Sequence, residues 1–351
     1  MDLNSFWNNK RVFITGHTGF KGSWMTFWLS KLGAQVAGFS LAPEQSPNLF
    51  DLLNLKNSCE NHIEDIRNLN SIKKRVADFK PDIIFHLAAQ SIVIKSYEDP
   101  VMTWETNVMG TLNLLEACRE LENSCSVVVI TTDKVYENKE WYYGYRENDT
   151  LGGYDPYSSS KAAAELVVSS WRRSFLSQNT NIKLASARAG NVIGGGDWTD
   201  NRIIPDIFRY KQKGQAIPVR NPNAVRPWQH VLESLHGYLT LAELLHAHDD
   251  EQYQSAFNFG PDKNSIQSVE QLLNAASKVT NVSWENAQKE NQLHEATLLT
   301  LSTEKASKLL KWNPKWDFET SIFRTIQWYD RFYAGENPAD LIDEDLKTYT
   351  S

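Results

Sequence analysis

The sequence predicts an α/β fold organised as a doubly wound parallel sheet, and three observations carry that reading. Short apolar runs alternate with helical patterns. Two of the runs, Asp82-Ile83-Ile84-Phe85-His86-Leu87 and Ser126-Val127-Val128-Val129-Ile130, have the texture of strands buried on both faces. A glycine turn, Thr15-Gly16-His17-Thr18-Gly19-Phe20-Lys21-Gly22, joins the first run to the first helical pattern. A Rossmann-type sheet has that start.

Taken in order, the spacing predicts strands over 11–15, 35–39, 82–87, 126–131, 182–188 and 256–259. Helices are predicted over 22–32, 69–78, 101–121, 157–177 and 231–247. From residue 190 the texture changes, with Gly194-Gly195-Gly196, Pro205, Pro218, Pro222 and Pro227 breaking the pattern. Loops of this kind commonly cover a ligand. Two small helices, 265–277 and 303–311, precede a stop at Trp312-Asn313-Pro314. The expected organisation is a dinucleotide-binding domain of residues 1–189 plus about 228–261. A smaller, discontinuous substrate lobe takes about 190–227 and 262–335.

The bulk composition narrows the partners. The chain has 351 residues and a net charge of -7, which argues against nucleic acid as a partner. No stretch approaches the roughly 20 apolar residues of a membrane span. Cys59, Cys118 and Cys125 have no metal-like spacing, so no metal is expected, and so sparse a set fits a reducing cytoplasm. The polar N-terminus lacks the apolar core of a signal peptide.

In the glycine turn, Gly16 permits the tight strand-to-helix turn, Gly19 admits a pyrophosphate, and Gly22 lets the helix pack close. The helix N-terminus then faces phosphate. The acidic residue expected after the second strand is missing, and Phe39-Ser40-Leu41-Ala42-Pro43 stands there. Lys21 suits either a ribose or a 2′-phosphate, so these residues leave NAD and NADP open. Asp65-Ile66 follows a short strand-like stretch, and Asp65 suits either an adenine amino group or the N-cap of the next helix.

Tyr157 and Lys161 sit one helical turn apart on one face. A phenol titrates near 10, so it needs about 4 kcal/mol of differential stabilisation to act as a base near pH 7. The ammonium can contribute to that. Thr131-Thr132-Asp133-Lys134 ends a buried strand at its carboxyl end, where doubly wound folds place ligands. Thr132 suits a bond to a reacting hydroxyl. A simple dehydrogenase needs neither Asp133 nor Lys134. An enzyme that also removes water needs an acid for the leaving group and a base for a carbon-bound proton.

These stretches, with Phe85–Gln90, Thr106–Thr111, Gly152–Tyr157, Arg188–Trp198 and Arg226–Val231, resemble the extended short-chain dehydrogenases/reductases. Within them the chain is most similar to the CDP-glucose 4,6-dehydratases, along nearly its whole length. The resemblance implies NAD as cofactor and CDP-glucose as substrate, oxidised at C4, dehydrated across C5 and C6, and reduced at C6. It implies catalytic roles for Thr132, Asp133, Lys134, Tyr157 and Lys161, with Asp133 as the acid at O6. The C5 base stays open, because related dTDP-glucose enzymes carry Asp-Glu where this chain has Asp133-Lys134. Cofactor contacts are implied for Gly16, His17, Thr18, Gly19, Phe20, Lys21, Gly22, Asp65, Ile66, Leu87, Ala88, Ala89, Gln90, Asn107, Tyr157 and Lys161. Substrate contacts are implied for Gln90, Asn191, Arg202, Arg220, Arg226 and His294. A homodimer through a four-helix bundle is also expected, with a tetramer as the alternative. It would bring Leu112, Leu115, Leu166, Val167 and Trp171 to the interface, some of them also packing on the sheet. Two further readings stay open: a nucleotide-sugar epimerase or dehydratase for another sugar, and a non-catalytic dinucleotide sensor. Asp133-Lys134 argues against the pure epimerase, and retention of Tyr157 and Lys161 against the sensor.

Overall fold

A computed structural model describes residues 3–176, 181–287 and 298–351. Its centre is a seven-stranded parallel sheet: β1 (Arg11–Thr15), β2 (Gln35–Ser40), β3 (Glu60–Ile63), β4 (Ile83–His86), β5 (Cys125–Ile130), β6 (Ile182–Ala189) and β7 (Ala256–Phe259). The spatial order is β7-β6-β5-β4-β1-β2-β3. Every neighbouring pair is parallel, in registers such as Val12↔Ile83 and Val127↔Leu184. The order reverses between β1 and β4, which opens a crevice at the carboxyl ends of those strands.

Alternation along each strand feeds two cores. Val12, Ile14, Ile83, Phe85, Val128 and Ile130 enter one apolar layer. Phe13, Ile84, Val127, Val129 and Leu184 enter the other. Strand β3 is longer than the strand-like His62-Ile63 that the sequence suggests. It is a partly exposed edge of Glu60, Asn61, His62 and Ile63, so no apolar run announces it.

The flanking helices follow their capping residues. Helix α1 (Phe20–Lys31) starts from Gly19. Helix α2 (Leu69–Phe79) is capped by Asn68, whose side chain accepts from Ser71 N. Asp65 is therefore not that cap. Its carboxylate pairs with Arg67 at 2.6 Å, which pulls the Asp65 pKa down. The predicted helix 101–121 begins as Pro100–Trp104, passes through a π-helical turn at Glu105–Met109 and continues as α3 (Gly110–Cys118). Helix α4 (Pro156–Trp171) has Pro156 in its first turn and Asp155 as cap, accepting from Ser158 N at 2.9 Å.

Residues after 190 form three short two-stranded ribbons, pairing 192–193 with 229–230, 217–219 with 284–286 and 225–227 with 266–268. The predicted 265–277 helix is thus part strand. Ile266–Ser268 pairs with Val225–Pro227, and the helix Val269–Ser277 starts at a Ser268/Gln271 capping box. The 303–311 helix contains a π-helical turn, Ala306–Leu310. Among the described residues, helices also form where the spacing predicts none: the long Ile203–Lys213, Phe318–Tyr333 and Pro338–Thr350, and the short Leu3–Trp7, Leu49–Leu52 and Val93–Glu98. Phe318–Tyr333 fixes the glycine stretch. Tyr329 OH accepts from Asp197 N at 2.9 Å, and a Cβ on Gly195 would lie 2.0 Å from the Trp328 ring. Among the described residues, no helix is long and apolar enough to cross a membrane.

Candidate active site

A cavity of about 1920 Å³ runs along the carboxyl ends of the strands and under the loops after 190. The glycine turn forms one wall. Gly16 has φ +77° and donates to Phe39 O at 2.8 Å. A Cβ at Gly16 would lie 2.7 Å from Ala88 N, and one at Gly22 would lie 2.1 Å from Gly16 O. Both positions need glycine for the close approach of backbone. Gly16, Thr18, Gly19, Phe20, Lys21 and Gly22 line the cavity, as do Asp65, Ile66, Leu87, Ala88, Ala89 and Gln90. The start of α1 therefore opens onto a cleft shaped for a phosphate group.

Two residues expected to touch the cofactor do not line this cavity. His17 is fully buried, and its Nε2 lies 2.7 Å from Asn61 Oδ1. Its ring fits only because residue 38 is glycine, where a Cβ would stand 2.2 Å from the imidazole. Asn107 is also buried. It accepts from Gln90 N at 2.9 Å and donates to Gln90 O at 3.0 Å and Ser160 Oγ at 2.9 Å. Its amide braces the wall loop from behind.

The carboxyl end of β5 delivers Thr132, Asp133 and Lys134 to the cavity. Thr132 caps a single 3₁₀ turn, Asp133–Val135, accepting from Lys134 N at 3.3 Å and donating to Asp133 Oδ1 at 2.9 Å. Asp133 is buried, and burial raises its pKa against the opposing pull of Lys134, Thr132, Arg226 and Lys21. A carboxyl held up in this way suits proton donation. The Asp133 carboxylate is packed so close to Gly190 that a Cβ there would lie 2.7 Å from Oδ2. Lys134 is half-buried and lines the same cavity.

Tyr157 and Lys161 project from α4 toward this point, and both line the cavity. Burial pushes the Tyr157 phenol up to about 12, although a hydrogen bond with Thr132 pulls it down. Lys161 falls to about 8, chiefly through burial, with Glu165 opposing. Its Nζ donates to Ile130 O at 3.2 Å.

Lys21 faces the reacting end rather than a ribose beside β2. Its Nζ donates to Tyr238 OH at 3.2 Å. Burial, followed by the charge of Arg202, lowers its pKa to about 7, with Asp133 opposing. Arg202, Arg220, Arg226 and Asn191 also line the cavity, with Arg202 close enough to act on Tyr157 and Lys21 and Arg226 on Asp133. Arg202 is held by Asp197 at 2.7 Å, and Arg226 Nη1 donates to Val225 O at 2.8 Å. His294 lies outside the described residues. Asp197 and Tyr238 escaped the sequence reading. Asp197 lies within the quoted Arg188–Trp198 stretch, whereas Tyr238 has no local signal.

The family model described as GDP-mannose 4,6 dehydratase matches residues 13–325. The chain is 44% identical to the CDP-glucose 4,6-dehydratase of Salmonella typhimurium, over 99% of this chain and 98% of that one. It superposes on the UDP-glucose 4-epimerase of Thermotoga maritima solved with UDP-glucose, with a TM-score of 0.78 at 20% identity, covering 92% and 99% of the two chains. On the dTDP-glucose 4,6-dehydratase of Bacillus anthracis solved with NAD, the TM-score is 0.74 at 20% identity, covering 93% and 99%.

Proposed function

Because the chain belongs to the GDP-mannose 4,6-dehydratase family of extended short-chain dehydrogenases/reductases, we propose that it is a hydro-lyase converting CDP-D-glucose to CDP-4-dehydro-6-deoxy-D-glucose and water. The observation that carries the elimination step is the placement of a buried carboxyl, Asp133, in the same cavity as Tyr157 and Lys161. A site built for C4 oxidation alone has no use for that acid.

The cradle in which Cβ atoms at Gly16 and Gly22 would collide with backbone fits a dinucleotide pyrophosphate. Thr18, Gly19, Phe20 and Ala88 would hold the cofactor, read here as NAD. When bound, NAD supplies reversible hydride acceptance, from C4 first and to C6 last. Tyr157 takes the proton of the 4-hydroxyl, and Thr132 orients that hydroxyl. The C4 ketone then acidifies the C5 proton, which a base removes. Asp133 protonates the departing C6 hydroxyl as water and the C5–C6 double bond forms; hydride delivered to C6, with a proton returned to C5, would then give the product. Lys134 is the proposed C5 base, standing beside Asp133 at the cavity wall. Arg226 and Arg202 would hold the diphosphate, with Asn191 and Arg220 beside them.

We also assign the two domains as expected, with residues 190–227 and 262–335 as the sugar-nucleotide lobe. The exposed apolar residues Val101, Trp104, Met109 and Leu166 support a homodimer built from the continuous 100–118 helical stretch, α4 and their copies. Of the expected interface residues, Leu115 is wholly buried within its own subunit, and Val167 and Trp171 pack partly on the same core.

The deciding experiment incubates the purified chain with CDP-, dTDP-, UDP- and GDP-glucose and identifies products by mass and NMR. Loss of water with a C4 ketone, from CDP-glucose above the others, supports the proposal. An isomer of unchanged mass would replace it with epimerisation.

A further inference from the structure

Beneath the Tyr157–Lys161 pair lies a buried ion pair that the reaction scheme does not use. Glu165 is one turn beyond Lys161 on α4, and Arg188 is on β6; each is 3% exposed. Arg188 Nη2 donates to Glu165 Oε2 at 2.8 Å, as does Ser186 Oγ at 2.8 Å. Thr131 Oγ1 donates to Oε1 at 2.6 Å. From its other side Arg188 donates to Tyr136 OH at 2.8 Å and Glu147 O at 3.0 Å. Tyr136 in turn donates to Asn258 Oδ1 at 2.7 Å.

The partners bracket the reactive segment. Lys161 bonds Ile130 O, Glu165 bonds Thr131, and Arg188 bonds Tyr136. Between those anchors lie Thr132, Asp133 and Lys134. A carboxylate so deep is costly unless fully paired, and this one is paired three times.

We propose that Glu165, fixed by Arg188, is a positioning residue that keeps Lys161 charged and holds the Ile130–Tyr136 segment in register with Tyr157. This rests on the dehydratase reading for its effect on turnover, but its effect on Lys161 is independent of any substrate.

The electrostatics agree. Arg188, Thr131 and Ser186 outweigh burial and lower the Glu165 pKa, so it is ionised near pH 7. The groups facing Lys161 are Glu165 from its own helix, His86 from β4 and Lys21 from α1. His86 is held neutral, and Lys21, lowered to about 7, repels when protonated and does not attract when neutral, so the carboxylate of Glu165 is the attraction among them. Around Glu165 itself stand Arg188 and Arg172.

The test is a titration of the full chain, without substrate, by ¹³C NMR of lysine Cε, with Lys161 assigned from Lys161→Met. In Glu165→Gln, which keeps the shape and loses the charge, the Lys161 midpoint should fall by roughly 1–3 units. The basic limb of turnover with CDP-glucose should move down with it, while sugar KM stays within about twofold. An unmoved midpoint overturns the proposal, and so does lost turnover with an unshifted limb. Glu165→Asp keeps the charge and guards against a folding defect in the amide variant. Its midpoint should stay nearer wild type, and a fall as large as that of Glu165→Gln, or an unfolded chain alongside an unshifted Glu165→Gln, counts against the proposal. Absence of dehydration in the wild type removes the turnover arm and leaves the titration standing.

Discussion

The Lys161 ammonium is tied at 3.2 Å to the carbonyl of Ile130, the last residue of β5, and that bond fixes α4 to the carboxyl end of the strand. Lys161 thereby stands at the foot of the Thr132–Asp133 turn. The phenol of Tyr157 is bonded instead to Thr132, and burial lifts it to about 12. The protein alone thus holds Tyr157 neutral, and its proposed role as base calls on the positive charge that oxidised cofactor would add.

Replacing Tyr157 with Phe removes the proton acceptor and keeps the ring. Turnover should fall by about 10²–10⁴. Sugar-nucleotide binding, read by calorimetry, should stay close to wild type. Near-normal turnover would mean that the phenol has no part in C4 oxidation.

Asp133→Asn should separate oxidation from elimination. The amide has the size of the acid but cannot deliver its proton. Single-turnover absorbance near 340 nm should show reduced cofactor accumulating, to roughly one equivalent per site if trapping is complete. Elimination at the wild-type rate would refute the assigned role. Lys134→Met should retain cofactor reduction and block solvent-proton exchange at C5; normal exchange would move the base elsewhere.

Gly38→Ala should destabilise the fold through His17. The added Cβ would stand 2.2 Å from the imidazole, so ring or strand must move. Overpacking of this kind costs about 1–3 kcal/mol. Urea midpoints would measure it. In the double variant with His17→Ala the methyl has room, and the combined loss should be smaller than the sum of the two single losses.

His86 gives the chain an acid sensitivity. Burial lowers its pKa to about 3, between Thr15 Oγ1 at 2.7 Å and Thr111 Oγ1 at 2.9 Å. The unfolded histidine titrates near 6.5. Between those values the unfolded state takes a proton that the folded state refuses, so stability is full above pH 6.5 and falls as the pH drops. The loss from pH 7 to pH 5 should be about 2 kcal/mol from this group. Denaturation of wild type and His86→Gln at both pH values isolates it, because Asp345 and Glu233 titrate alike in the two proteins. Equal losses in both would contradict the assignment.

Leu166→Glu should shift the chain toward monomer. Leu166 is 61% exposed on α4, and the 100–109 segment packed against α4 carries exposed Met109 and Trp104. Light scattering at micromolar concentration measures the mass. A wild-type monomer under those conditions would remove the dimer altogether.

The sequence by itself determined the parallel sheet and the chemical identity of its reactive end. Buried strands such as β5 need unbroken apolar runs, a close strand-to-helix turn needs glycine at 16 and 22, and helical spacing puts Tyr157 and Lys161 on one face; all three demands are local. The same spacing puts Glu165 one turn past Lys161, but only its buried pairing with Arg188 gives it a part, and that was not anticipated. Helix Phe318–Tyr333 was legible, from its Asp317 cap and the four-residue spacing of Phe318, Ile322 and Ile326, although it was not anticipated. Other assignments were decided only by tertiary structure. His17 and Lys21 lie in one turn, yet His17 turns into the space left by Gly38 and Lys21 turns toward Tyr238, more than two hundred residues away. Asn107 braces Gln90 because α4 brings Ser160 against it. Where a polar side chain points depends on which distant atoms leave it room and satisfy its hydrogen bonds, and spacing along the chain carries no record of those atoms.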